Sequence, residues 1–141
     1  MNRTPPDSTE RIAARDGLPR LAARLAEMGA RRVMVLAPPS RRFVDRVVAA
    51  LADLQPVVFD GARVHVPADV VDRAAEMLAK GEADTLVAVG GGSAIGLGKA
   101  LRLTHAVRFA AVPTTYAGSE ATSIYGITRD GDKATGRDPR V

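Results

Sequence analysis

The chain has 141 residues, 46% of them hydrophobic and 26% charged, which fits one globular domain burying roughly two thirds of its unfolded surface. It has no cysteine, which excludes a disulfide framework, a thiol nucleophile and a cysteine-based zinc site. The formal charge of +4 comes mostly from arginines interleaved with acids, and aromatics make up only 4% with no Trp, so neither a basic arm nor a base-stacking platform for nucleic acid is present.

Residues 1–10 are polar and proline-bearing and read as a disordered leader, without the apolar centre of a signal peptide. No apolar run approaches membrane-spanning length, so a cytoplasmic location and no membrane partner are expected by default. Residues 11–141 then read as the single domain. Residues 11–15 (RIAAR) suggest a short edge strand, turned by Asp16 and Gly17. Leu18, Leu21, Ala22, Leu25 and Met28 recur at helical spacing, with Pro19 near the start and Gly29 past the end. Residues 32–37 (RVMVLA) form a buried strand broken by Pro38 and Pro39, with Ser40 offered as the cap of a helix that places Phe43, Val47, Val48, Leu51 and Leu54 toward the core. Residues 57–59 make a brief strand, and after a connector holding His65, Pro67 opens a helix through Val70, Val71, Ala74 and Leu78.

The next stretch is the most informative. Residues 85–89 (TLVAV) break into Gly90, Gly91, Gly92 and Ser93 and resume as small and aliphatic residues through Lys99, which reads as strand, tight loop and helix N-terminus. Glycines let the backbone approach an anion closely, and the free N–H groups opening the helix add about half a positive charge. This is a phosphate seat in outline. It is not a Walker loop, because Ser93 stands where the first glycine belongs and Ala100 where the hydroxyl belongs. Nor is it G-x-G-x-x-G, because Ile95 occupies the third glycine place.

Residues 109–112 (FAAV) form another buried strand, ending in the loop 113–120, and residues 124–128 and 133–135 make a hairpin around Asp130 and Gly131. Alternating strands and helices predict an α/β fold, a Rossmann-like, doubly wound, mostly parallel sheet with helices on both faces. Ligands of such sheets bind beyond the carboxyl ends of the strands, where the glycine loop lies. His65 and His105 sit in separate connectors and read as polar loop residues, so no metal site and no Ser/His/Asp arrangement is expected within the chain.

Together, residues 90–100 (GGGSAIGLGKA), 112–120 (VPTTYAGSE) and 135–141 (TGRDPRV) resemble the iron-containing alcohol dehydrogenase superfamily, and within it the maleylacetate reductase branch. The superfamily at large carries an aspartate where this chain has Gly96 and a second motif one residue longer; both departures point to that branch. The resemblance implies an N-terminal NAD(P)-binding domain of a dehydroquinate-synthase-like fold, with the helical C-terminal domain absent. It implies that Gly91, Gly92 and Ser93 hold the cofactor pyrophosphate. Thr114 and Thr115 would contact the cofactor from the neighbouring strand end, Tyr116 and Ser119 would lie near the nicotinamide, and Lys133 would reach the ribose.

The implied function is NAD(P)H-dependent reduction of a small-molecule substrate, most concretely maleylacetate to 3-oxoadipate in the degradation of aromatic compounds. A metal-dependent alcohol dehydrogenase and a non-catalytic nucleotide-binding remnant are the alternatives. Hydride transfer needs contact distance and exclusion of water. The expected assembly is therefore a homodimer, or a truncated or split product whose partner chain supplies the helical domain. Where many relatives place an acid after the strand at 32–37, this chain has Pro38, Pro39, Ser40, Arg41 and Arg42, so NADPH is expected to be tolerated as well as NADH, with Arg41 or Arg42 available to the extra phosphate.

Overall fold

The computed structural model describes residues 17–116 and 118–141; residues 1–16, which include the expected leader and the expected strand at 11–15, lie outside them. Helix α1 (Gly17–Glu27) leads to strand β1 (Val33–Leu36), helix α2 (Val44–Ala50) and a 3-10 turn (Ala52–Leu54). Strand β2 (Val57–Phe59), helix α3 (Ala68–Gly81) and strand β3 (Thr85–Gly90) follow, then helix α4 (Gly92–Thr104) and strand β4 (Arg108–Pro113). A second 3-10 turn (Ser119–Ala121) precedes a hairpin of β5 (Ile124–Arg129) and β6 (Asp132–Arg137). The four long-range strands form one parallel sheet in the order β2-β1-β3-β4, and the hairpin forms a separate antiparallel pair.

Strand alternation divides the apolar residues between two cores. Val33 and Val35 of β1 and Val87 and Val89 of β3 face Leu25 of α1 and Val44, Val47 and Leu51 of and after α2. Met34, Leu36, Leu86 and Ala88 face the other way, against Val70, Ala74 and Leu78 of α3 and Ile95, Leu97 and Leu101 of α4. β1 and β3 are therefore buried on both faces, which is why their sequences are unbroken apolar runs rather than alternating ones. At the amino ends of these strands, the Asp84 carboxylate accepts the Arg31 N–H at 3.0 Å and the Thr85 hydroxyl at 2.7 Å. This fixes the register at the rim opposite the glycine loop.

The element order matches the expected fold class, with three local corrections. Ser40 does not cap α2: the helix starts at Val44, preceded by Phe43 in the left-handed region at φ 65°. That conformation turns the Phe43 ring outward, leaving it 41% exposed, so it is not a core residue. Met28 likewise falls beyond α1 and is exposed. The glycines of α4 have a packing role. A Cβ on Gly98 would enter the ring of Phe109, so this glycine sets how closely α4 lies on β4.

Gly98→Ala should therefore lower stability by about 1–2 kcal/mol despite the better helix propensity of Ala, because overpacking exceeds the propensity gain. Gly81→Ala, at a position with no heavy atom within 4 Å, should be neutral or stabilising. Urea midpoints at constant slope measure both. Equal effects of the two substitutions would contradict the packing role.

Candidate functional site

The sheet order β2-β1-β3-β4 places the switch in strand order between β1 and β3, which run parallel, and at their carboxyl ends the two tips meet. Gly90, at φ 152°, turns the chain beside Pro38: a Cβ there would stand 3.3 Å from Pro38 Cδ. Gly91 then precedes α4 with no side-chain cap, so the first N–H groups of the helix have no partner one turn back and point outward. The β4 tip closes in from the other side. Thr114 donates its N–H to the Gly90 carbonyl at 2.9 Å, and a Cβ on Gly91 would lie 2.7 Å from Thr115 Oγ1. Only glycine lets the threonine come this near. Gly92 is exposed and Ser93 half-buried, so the amides that open the helix are not covered by neighbouring side chains.

These tips border a cleft of about 730 Å³. Of the residues singled out from sequence, Gly91, Gly92, Ser93, Thr114, Thr115, Ser119 and Lys133 all line it. Tyr116 does not: its side chain is fully exposed, at 108%, outside the cleft wall. The cleft is also lined by Ser40, Arg42, His65, Val66, Lys99 and Tyr125, and among the described residues no carboxylate lines it.

Lys99 has a structural duty that its sequence position did not reveal. It is 2% exposed, and its ammonium donates to the carbonyls of Thr122 and Ile124, each at 2.8 Å, and to Thr122 Oγ1 at 3.2 Å. The bond fastens the start of β5 to the middle of α4. Burial pushes the Lys99 ammonium below the ordinary lysine value, and the charge of Glu120 opposes that shift. Every buried side-chain polar atom among the described residues has a partner, and this ammonium is fully used.

A second tie crosses the cleft from the β2 side. His65 and Val66 both have positive φ, 65° and 46°, a conformation that a β-branched residue rarely holds. Thr128 of β5 secures them: its hydroxyl donates to the His65 carbonyl at 2.6 Å and its N–H to the Val66 carbonyl at 3.0 Å. Val66 thereby lies against α4 at Gly96, where a Cβ would be 2.7 Å from Val66 Cγ2. This is the physical reason for glycine at that position: valine fills the space that a side chain would need.

On the hairpin, Lys133 runs along β5 past Gly126, where a Cβ would meet its Cε at 2.7 Å. Its ammonium has no hydrogen bond or ion pair within the described residues, so it is a free cation beside the cleft. The loops at the ends of β1, β2, β3 and β4, with the hairpin, therefore enclose one site suited to an extended anion.

The family model for iron-containing alcohol dehydrogenases matches residues 8–141. The chain belongs to that family. It is 55% identical over 123 residues to maleylacetate reductase 2 of Cupriavidus pinatubonensis, covering 86% of this chain and 34% of that protein. The crystal structure of maleylacetate reductase from Agrobacterium tumefaciens superposes with a TM-score of 0.82 at 37% identity, covering 87% of this chain and 35% of that one. Sulfoacetaldehyde reductase from Bifidobacterium kashiwanohense, solved in complex with NAD+, superposes with a TM-score of 0.76 at 26% identity, over 87% of this chain and 40% of that one. The chain thus spans about a third of the length of the curated relatives it matches. The family is one of oxidoreductases, and the Rossmann-like fold of this chain is that of the matched part of its members. Among the described residues no three His, Asp or Glu side chains converge in a group that could hold a metal ion.

Lys99→Met should cost about 2–3 kcal/mol at neutral pH, because two carbonyls lose a charged donor. The pH dependence has a defined sign. With the native lysine value below the unfolded one of 10.5, the unfolded chain holds the extra proton between the two. Wild-type stability relative to the Met variant should therefore rise with pH across that alkaline window. Denaturant titrations at several pH values measure this, and a difference that shrinks on approach to 10.5 would oppose the assignment.

Proposed function

We propose that the cleft seats a nicotinamide dinucleotide, NADH or NADPH, and that this chain forms the nucleotide-binding part of a reductase acting on maleylacetate. The observation that carries the reading is the contact of Thr115 with Gly91 beside an uncapped helix start, which leaves a concave set of amides at the switch in strand order. The amides of Gly92 and Ser93 would take the diphosphate, with Thr114, Thr115 and Ser119 on the β4 side and Lys133 donating from the hairpin to a ribose hydroxyl. Support comes from the reductases at 55% and 37% identity and from the NAD+ complex at 26%.

A bound reduced nicotinamide would supply the hydride that saturates the carbon–carbon double bond of maleylacetate, and a proton completes 3-oxoadipate. The protein's contribution is position and charge. Arg42, His65 and Lys133 line the cleft and no carboxylate among the described residues does, an environment that favours a doubly charged acid over a neutral alcohol. The Thr128 hydroxyl on the His65 carbonyl and the Thr128 N–H on the Val66 carbonyl hold the His65 backbone at the hairpin side of the cleft.

Titration with NADH and NADPH, followed by nicotinamide fluorescence, tests the seat. Gly92→Glu should weaken both by at least about tenfold, through a carboxylate set against the diphosphate. The nearest atom to a Cβ there is Ser119 Oγ at 3.7 Å, so the fold should tolerate the change. Unaltered binding would refute the seat. Maleylacetate-dependent oxidation of NADPH tests the chemistry, and binding without it would restrict the chain to holding the nucleotide.

The hairpin contribution is separable. Gly126→Ala should displace Lys133 and weaken nucleotide binding as much as Lys133→Ala does, about three- to tenfold, with the double variant no worse than either. Additive losses would show that the two positions act independently.

A further inference from the structure

The chain has two histidines, and internal bonding accounts for only one of them. The His105 ring closes α4, with Nδ1 3.1 Å from the Leu101 carbonyl and 3.0 Å from the Thr104 hydroxyl. The His65 ring has no hydrogen bond or ion pair among the described residues. The residue is exposed and lines the cleft, held at φ 65° and followed by Val66 at φ 46°. Glycine would adopt both conformations without strain. Val66 offsets its strain by filling the space over Gly96, but no packing of that kind explains the side chain of His65.

The connector is pinned on both sides of this histidine. Ala62 is buried and donates its N–H to the Ala37 carbonyl at 3.1 Å, and Thr128 holds the His65 and Val66 carbonyls at 2.6 and 3.0 Å. Between the pins, Val64, 70% exposed, stands next to His65, and both line the cleft. Val66 meets α4 at Gly96, about one turn or 5 Å along the axis from the amides of Gly92 and Ser93. His65 is therefore beside the diphosphate seat rather than in it, a ring N–H donor flanked by two valines. That combination suits a carboxylate on a short carbon chain better than a diphosphate, which the amides and the β4 threonines already serve. We infer that His65 donates a ring N–H to a carboxylate of the substrate, with Val64 against the substrate's carbon chain, and that Thr128 is the positioning residue that keeps His65 there. This rests on the reductase reading of the cleft.

Adipate, an unreactive dicarboxylate with the carbon skeleton of 3-oxoadipate, and its neutral diamide test this without requiring turnover. Each is titrated into the 141-residue chain saturated with NADP+, followed by calorimetry and by the Hε1 NMR signals of the two histidines. Adipate should bind saturably in the millimolar range and move the His65 signal but not that of His105, and the diamide should bind at least about tenfold more weakly. His65→Ala should weaken adipate at least about fivefold while changing the nucleotide less than about twofold. Thr128→Val keeps the shape and loses the hydroxyl; it should weaken adipate about threefold at unchanged nucleotide affinity, and Thr128→Ser should restore it. An unmoved His65 signal, equal binding of the diamide, undiminished adipate binding in His65→Ala, or parallel losses of adipate and nucleotide in either variant would overturn the inference and leave the seat standing. Failure of the wild-type chain to bind the nucleotide would remove the seat and this inference together.

Discussion

The site depends on one buried cation. The Lys99 ammonium, held by the carbonyls of Thr122 and Ile124, joins the hairpin to the helix whose first amides face the cleft. Without that bond the parallel sheet would still have its two cores, because neither draws on the hairpin for a buried residue. The cleft would lose a wall. A charge sealed from water is costly unless its donors are all used, and here three oxygens surround it, so the cost of burial is offset where the site needs rigidity.

Around that bond, the fold forms the cleft largely by leaving out side chains. Gly91 admits Thr115, Gly96 admits Val66, Gly126 admits Lys133, and Gly136 admits the Tyr125 ring, whose hydroxyl oxygen would lie 2.6 Å from a Cβ. Each omission brings a neighbour from a different element into van der Waals range. The strained backbone at His65 and Val66 belongs to the same design, because the Thr128 bonds that hold it also place Val66 over Gly96. Backbone amides at the centre and free or paired cations at the edges then give the cleft a positive field without a metal ligand set among the described residues.

Much of this could be read in the sequence, for identifiable reasons. β1, β3 and β4 are unbroken apolar runs with turn residues after them, and the hairpin is marked by Asp130 and Gly131, so local chemistry decided both. The glycine loop was legible because three glycines between a strand and a helix have few other uses. The Phe43 orientation was not, because helical spacing cannot register a single residue at positive φ that reverses one side chain. Nor were the roles of Lys99, Gly96 and Gly126: each depends on a partner between 7 and 30 residues away, brought near only by the folded chain. Tyr116 stands at the tip beside Thr115, but the loop directs its ring to solvent rather than into the cleft.

The partners of Lys99 include two main-chain oxygens, which every amino acid supplies. Substitutions at Ile124 and along the outward face of the hairpin therefore leave this anchorage chemically intact. Such an arrangement separates what must be constant from what can drift: the hairpin can change its side chains, and with them the compounds it admits, while remaining fixed to the same helix.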